Sequence, residues 1–271
     1  MNVDTERVGL LNLIKVGVPE MLFATVYATF VIAMEELYGD RIYSLPYEIG
    51  GVLGLAVAFF LGFRMNSAYD RWWEARKIMG ELAANARKLS SKLVLYSRNL
   101  FPETGMLAID DLMEYNSHLA KHLLAPTSDS KQKSLHLLQK ISSEIDTAFG
   151  ANTLEKYDLL QIINNLHDIQ GKVERTKFTP FLNIYKVFTK IMVYSYVLLS
   201  PFFVGDIDVG GEHSLLEWLA IPLTMLMAYL FLMISKLANM YGEPFSGTKT
   251  SLPVENIIFN LNEDLKMIKN L

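Results

Sequence analysis

Ile49-Gly50-Gly51-Val52-Leu53-Gly54-Leu55-Ala56-Val57-Ala58-Phe59-Phe60-Leu61-Gly62-Phe63 carries no charge and passes directly into Arg64-Met65-Asn66-Ser67-Ala68-Tyr69-Asp70-Arg71-Trp72-Trp73-Glu74-Ala75-Arg76-Lys77. The first part suits hydrocarbon. The paired tryptophans suit the headgroup layer, where the ring body is buried and the N–H stays wet. The arginines that follow mark the cytoplasmic side. The stretch therefore reads as the end of a membrane helix with aqueous protein beyond it.

Three other segments resemble this one. A helix rising 1.5 Å per residue needs about 20 mostly apolar residues to cross ~30 Å of hydrocarbon. The expected spans are residues 16–38, with Pro19 and Glu20 near the start, and residues 45–63. Residues 181–204 follow, with Lys186 and Lys190 in the first turns, and then residues 215–235, entered through Glu217 and Trp218. Residues 49–63 alone cover only about 22 Å at that rise, so the second span needs flanking residues or snorkelling by Arg64.

Composition agrees with a membrane protein. Of 271 residues, 51% are hydrophobic, the formal charge is −4 and there is no cysteine. An acidic balance argues against a nucleic-acid partner, and the missing thiols exclude disulfides, thiolate metal sites and cysteine nucleophiles. The first residues carry Asp4 and Glu6 with no small-residue cleavage site, so the first apolar segment is expected to be retained.

Loop charges orient the chain. Glu35, Glu36, Asp40 and Glu48 oppose only Arg41 between the first two spans, and Asp206, Asp208 and Glu212 stand without lysine or arginine between the last two. Segment 64–180 holds most of the basic residues. The acidic loops are thus expected outside, and the middle segment and both termini in the cytoplasm. The division expected is 1–63 as the first hairpin, 64–180 as a cytosolic helical insert, 181–235 as the second hairpin and 236–271 as a cytosolic tail. Apolar residues recur at helical spacing through the insert, as in Leu82-Leu89-Leu93 and Leu154-Leu159-Ile163-Leu166. Breaks fall at Pro102-Glu103-Thr104-Gly105, Ala125-Pro126-Thr127-Ser128-Asp129 and Gly150-Ala151-Asn152. The architecture is read as all-α.

On a helical wheel the second span has two neighbouring stripes. Gly50, Gly54, Ala58 and Gly62 form a ridge almost without side chains, which lets membrane helices approach closely. Gly51, Leu55, Phe59 and Phe63 form a mostly bulky stripe one step around. That stripe either faces lipid or another helix, or converges with copies of itself on a shared axis, making an apolar constriction of the kind that gates ions by dewetting.

The quoted signature, from Leu61 to Lys77, resembles that of the bestrophin family, particularly its bacterial members. Asp168-Ile169-Gln170-Gly171 with Glu174-Arg175, Thr179-Pro180, Glu243-Pro244-Phe245 and Leu252-Pro253 extend the resemblance over nearly the whole chain. It implies an integral membrane homopentamer in the lipid bilayer, not an enzyme but a channel for small monovalent ions with an axial pore, four transmembrane helices per subunit and a helical cytosolic domain. It also implies a pore neck of Leu55, Phe59 and Phe63, a second constriction near Leu154, and a bacterial inner-membrane location. Animal members suggest chloride, and bacterial ones make sodium credible. Rings of Glu35, Glu36, Asp40, Asp206, Asp208 and Glu212 at the outer mouth would concentrate cations. The calcium-binding acidic run of animal members is replaced by Ser246-Gly247-Thr248-Lys249-Thr250, so no calcium activation is expected there. Met79 stands where bacterial relatives often carry tryptophan, which should affect packing.

Other chemistry is weaker. Arg64, Asn66, Tyr69, Asp70, Arg71, Trp72 and Trp73 form the membrane-boundary signature; a local network pairing Asp70, Arg71, Glu74 and Arg76 is the expected role. An enzyme using the Arg64–Arg71 cluster is the alternative, as is a non-conducting scaffold. His118 and His122 have a zinc-compatible spacing but no third ligand nearby, so a solvated face is expected. Glu20 is either a functional carboxylate or an interfacial one. No cofactor and no metal are expected.

Overall fold

The computed structural model describes residues 10–38, 46–98, 102–150, 153–179, 183–204, 220–247 and 251–270. Among them are eight helices and no strand: α1 (Leu10–Tyr38), α2 (Tyr47–Ser97), α3 (Pro102–Leu124), α4 (Ser128–Ala148), α5 (Thr153–Phe178), α6 (Asn183–Val204), α7 (Ala220–Gly242) and α8 (Val254–Lys269). The chain divides into two compact units, residues 1–68 with 181–239 and residues 69–180 with 240–271.

The first unit holds α1, the start of α2, α6 and most of α7. Its interior is small: Ala24, Val57, Leu61, Val193, Val197, Phe203 and Ala228 are among its buried residues. Its exterior is apolar, with Leu22, Val26, Phe30, Ile184, Ile191 and Leu226 exposed. So much bare hydrocarbon is untenable in water and matches a lipid surround. Among the described residues, α1, α2 and α7 are long and apolar enough to cross a membrane. That selection omits α6, which carries Lys186 and Lys190.

Proline in α6 is accommodated locally. Pro201 has no N–H to offer the Val197 carbonyl, and the Ser200 hydroxyl donates to that oxygen instead, at 2.8 Å.

The small-residue ridge is used within the chain. A Cβ on Gly50 would lie 2.6 Å from Phe203 Cγ, and one on Gly54 would lie 2.7 Å from the Tyr196 hydroxyl. The upper half of the ridge thus seats two rings of α6, a close approach within one chain. Gly62 has nothing within 4 Å, and neither has Gly51 on the neighbouring stripe.

The second unit is built like a water-soluble bundle. Leu82, Leu89 and Leu93 of α2 pack with Leu112, Leu119 and Leu123 of α3, with Leu138 and Ile141 of α4, and with Leu159, Ile163 and Leu166 of α5. Met79 is buried in this core. Val254, Ile258, Leu261 and Leu265 add one face of α8. Helix ends carry local signals. Pro102 opens α3, where a missing N–H costs nothing. Thr127 caps α4, its side chain accepting from Ser130 N while Ser130 returns the bond to the Thr127 N–H.

The second expected span is only the beginning of a longer helix. With 51 residues, α2 extends for about 76 Å at 1.5 Å per residue. No proline interrupts it, and good helix formers continue past the tryptophans. The fourth expected span likewise runs on to Gly242.

Substituting Gly50→Ala or Gly54→Ala should destabilise the first unit. Overpacking costs about 1–3 kcal/mol, against about 1 kcal/mol gained in helix propensity. Gly51→Ala should not destabilise. Thermal unfolding in detergent micelles, followed by circular dichroism, separates the two classes.

Candidate functional site

Along α2 the two faces differ completely. Val57, Leu61, Arg64 and Ala68 are buried. On the other side Leu55, Phe59 and Phe63 are 73%, 61% and 53% exposed. The Phe59 and Phe63 rings meet edge to face, with centroids 4.5 Å apart, and Phe59 also meets Phe60 at 6.0 Å. These contacts fix the ring orientations on a face that no other described residue covers. Three bulky apolar side chains thus stand one helical turn apart, held by a helix whose opposite side is locked.

Arg64 lies on the locked side. Only 1% exposed, it is the largest fully buried side chain among the described residues. Snorkelling, the sequence expectation, is thereby corrected. The guanidinium donates to Thr189 Oγ1 at 2.9 Å, to Ser235 Oγ at 3.3 Å and to Asn239 Oδ1, while its Nε has no partner. It thus ties α2 to α6 and α7. Sequence reasoning missed these three partners. The available signal was Ser235 and Asn239, polar residues four apart on a mostly apolar helix.

Arg71 has a different role. Its Nη2 donates to the Thr176 and Thr179 carbonyls at 2.5 Å each, placing a cation at the C-terminus of α5 where free carbonyls concentrate negative potential. The expected pairing of Asp70, Arg71, Glu74 and Arg76 does not form as such: Glu74 pairs with Lys77 at 2.8 Å. Trp72 packs edge to face on Tyr241 and also meets Tyr69 and Trp73. Asn66, Tyr69, Asp70 and Trp73 are exposed. Among the described residues Arg64 and Arg71 share no bonding partner. Beyond α7, the Phe245 carbonyl accepts from Lys177 Nζ at 2.7 Å.

Leu154, in the first turn of α5, is 85% exposed. The turn is tethered one turn further along, where Asp158 Oδ1 accepts from Lys92 Nζ at 2.6 Å and Oδ2 accepts from Tyr96 Oη at 2.9 Å. Lys156 pairs with Asp146 beside it. Of the outer-mouth acids, Asp40, Asp206, Asp208 and Glu212 lie outside the described residues. Glu35 and Glu36 lie in α1 with side chains outside that description.

The histidine pair is not on a solvated face. His122 is buried with Nδ1 3.3 Å from Ser130 Oγ, and His118 Nε2 lies 3.4 Å from Glu114. Among the described residues no group of three or more metal-ligating side chains occurs. Glu20 is paired with Lys236 at 2.9 Å.

Lys92, and secondly Tyr96, hold the Asp158 carboxyl below its ordinary range. The tether is thus fully present above the unfolded carboxylate value of about 3.9 and is lost as pH falls through the lower folded value. Asp158→Asn should lower the hydrogen-exchange protection of the first turns of α5 several-fold at neutral pH, whereas the native chain should lose that protection, with the intrinsic rate divided out, only as pH falls below the ordinary carboxylate value of about 3.9.

A model of the family described as bacterial/fungal bestrophin protein matches residues 12–108 and 99–267. The chain is similar to a protein of Ralstonia nicotianae named a voltage-dependent anion channel-forming protein, 23% identical over 79% of this chain and 74% of that one. A Mesorhizobium japonicum protein with the same designation is 24% identical over 88% of this chain and 80% of its own. The fold of the present chain is similar to that in the crystal structure of a bacterial bestrophin homologue from Klebsiella pneumoniae, with a TM-score of 0.83 at 21% identity, covering 93% of this chain and 98% of that one.

Proposed function

The chain belongs to the bacterial and fungal bestrophin family, and from that membership we propose that it forms a homopentameric channel passing small monovalent anions through an apolar neck of Leu55, Phe59 and Phe63. It is an integral membrane protein and a channel, not an enzyme. In this reading each subunit contributes four transmembrane helices, α6 being the fourth beside α1, α2 and α7. Both termini and the second unit lie in the cytoplasm, the membrane is the bacterial inner membrane, and Leu154 forms a second constriction.

The observation that carries the reading is the uncovered apolar stripe of α2. Bare phenylalanines directly opposite a locked helix face call for a cover of lipid or of identical stripes. Gly51, Ala58 and Gly62 favour the second. They are exposed beside it, and a Cβ on Gly51 or Gly62 would meet nothing within 4 Å. Small residues left open in this way allow another copy to approach closely. Five converging stripes would form a narrow dry passage, where water is unstable and ions lose hydration, so the passage closes without a moving plug. Anions are favoured by the designation of the curated relatives, which are named as anion channel-forming proteins.

Purified protein in planar bilayers under asymmetric sodium chloride should give currents reversing toward the chloride equilibrium potential. Reversal toward the sodium potential would contradict the anion assignment, and silence would contradict conduction. Phe63→Ala should raise the current several-fold, because a shorter apolar ring dewets less readily. An unchanged current would remove Phe63 from the neck.

A further inference from the structure

The geometry points to Arg64 as a specificity-determining residue: its buried, uncompensated charge repels cations at the foot of the neck and biases permeation toward anions. The inference rests on the channel reading above.

A buried cation is ordinarily matched by a carboxylate, since desolvation is otherwise too costly. Arg64 is not so matched. Its donors end on two hydroxyls and an amide oxygen, all neutral, and its Nε ends on nothing. These bonds satisfy the guanidinium without cancelling its charge. Among the described residues no carboxylate bonds to the guanidinium. Glu20 is paired with Lys236, which follows Ser235.

Position gives this charge its effect. Arg64 follows Phe63 in α2, so its backbone lies about 1.5 Å further along the axis than the last neck residue. In an assembly built around that stripe, every copy repeats the buried charge at one level. Mobile ions screen exposed charges within about 8 Å at physiological ionic strength but screen a buried one far less. An ionisable side chain kept in an apolar unit at such cost marks a functional site by default. A purely structural pin joining α2, α6 and α7 needs hydrogen-bond donors but no net charge.

The test compares the chloride-to-sodium permeability ratio of native protein, Arg64→Gln and Arg64→Lys, from reversal potentials in planar bilayers. Arg64→Gln should lower the ratio by at least about threefold, and Arg64→Lys, which keeps the charge and loses the fork, should leave it near the native value. A conducting Arg64→Gln channel with an unchanged ratio overturns the inference and leaves the channel reading standing. A silent native protein overturns both. Should Arg64→Gln fail to assemble, the native ratio measured in dilute and in molar salt decides. A ratio that persists supports a buried source, whereas collapse at high salt assigns the bias to exposed charge and overturns the role of Arg64.

Discussion

The first unit depends on one constraint, a helix with two incompatible faces. The 51-residue α2 serves both compact units. In the first unit its inner side is fixed by Phe203 and Tyr196 against two glycines, by the Tyr185 hydroxyl donating to the Phe60 carbonyl at 3.0 Å, and by the Arg64 bonds. With that side immobilised the helix cannot rotate to hide Leu55, Phe59 and Phe63. The exposed stripe is therefore a consequence of how firmly the opposite face is held.

The two units solve opposite solvation problems with the same secondary structure. In the first unit small residues and rings fill a narrow interior while the large aliphatic side chains point outward. In the second, leucines and isoleucines fill the interior and ion pairs such as Arg87–Asp264, at 2.6 Å, decorate the outside. Surface pairs of that kind contribute little stability individually. The bundle's stability comes from its apolar core, which leaves the surface free to carry charge for solubility.

The helical architecture was legible because its signals are local. Periodicity located the elements, and Thr127 with Ser130 or Pro102 marked their starts within one turn. The Leu55, Phe59 and Phe63 stripe was visible from spacing alone, and the structure leaves those side chains open. What the sequence hid depends on partners far along the chain. Arg64 looked like a snorkelling residue because Thr189, Ser235 and Asn239 lie more than a hundred residues away. Gly50 and Gly54 marked a surface for close approach without naming its partner, because Phe203 and Tyr196 also lie more than a hundred residues away. Arg71 seemed destined for a neighbouring carboxylate, yet the carbonyls ending α5 claim it. Helix geometry can be read from one window, whereas the tenant of a helix face cannot.

The chain contains no cysteine, so one introduced thiol reports its own surroundings without further changes. The decisive measurement is the effect of a membrane-impermeant, thiol-reactive cation on bilayer currents carried by a Phe59→Cys variant, with Leu22→Cys on α1 as the outward-facing control. If the α2 stripes converge on a conducting axis, modification at position 59 shuts the current and modification at position 22 leaves it unchanged. Undiminished current through fully modified Phe59→Cys channels would mean that the stripe does not line the pathway, and the account would fail.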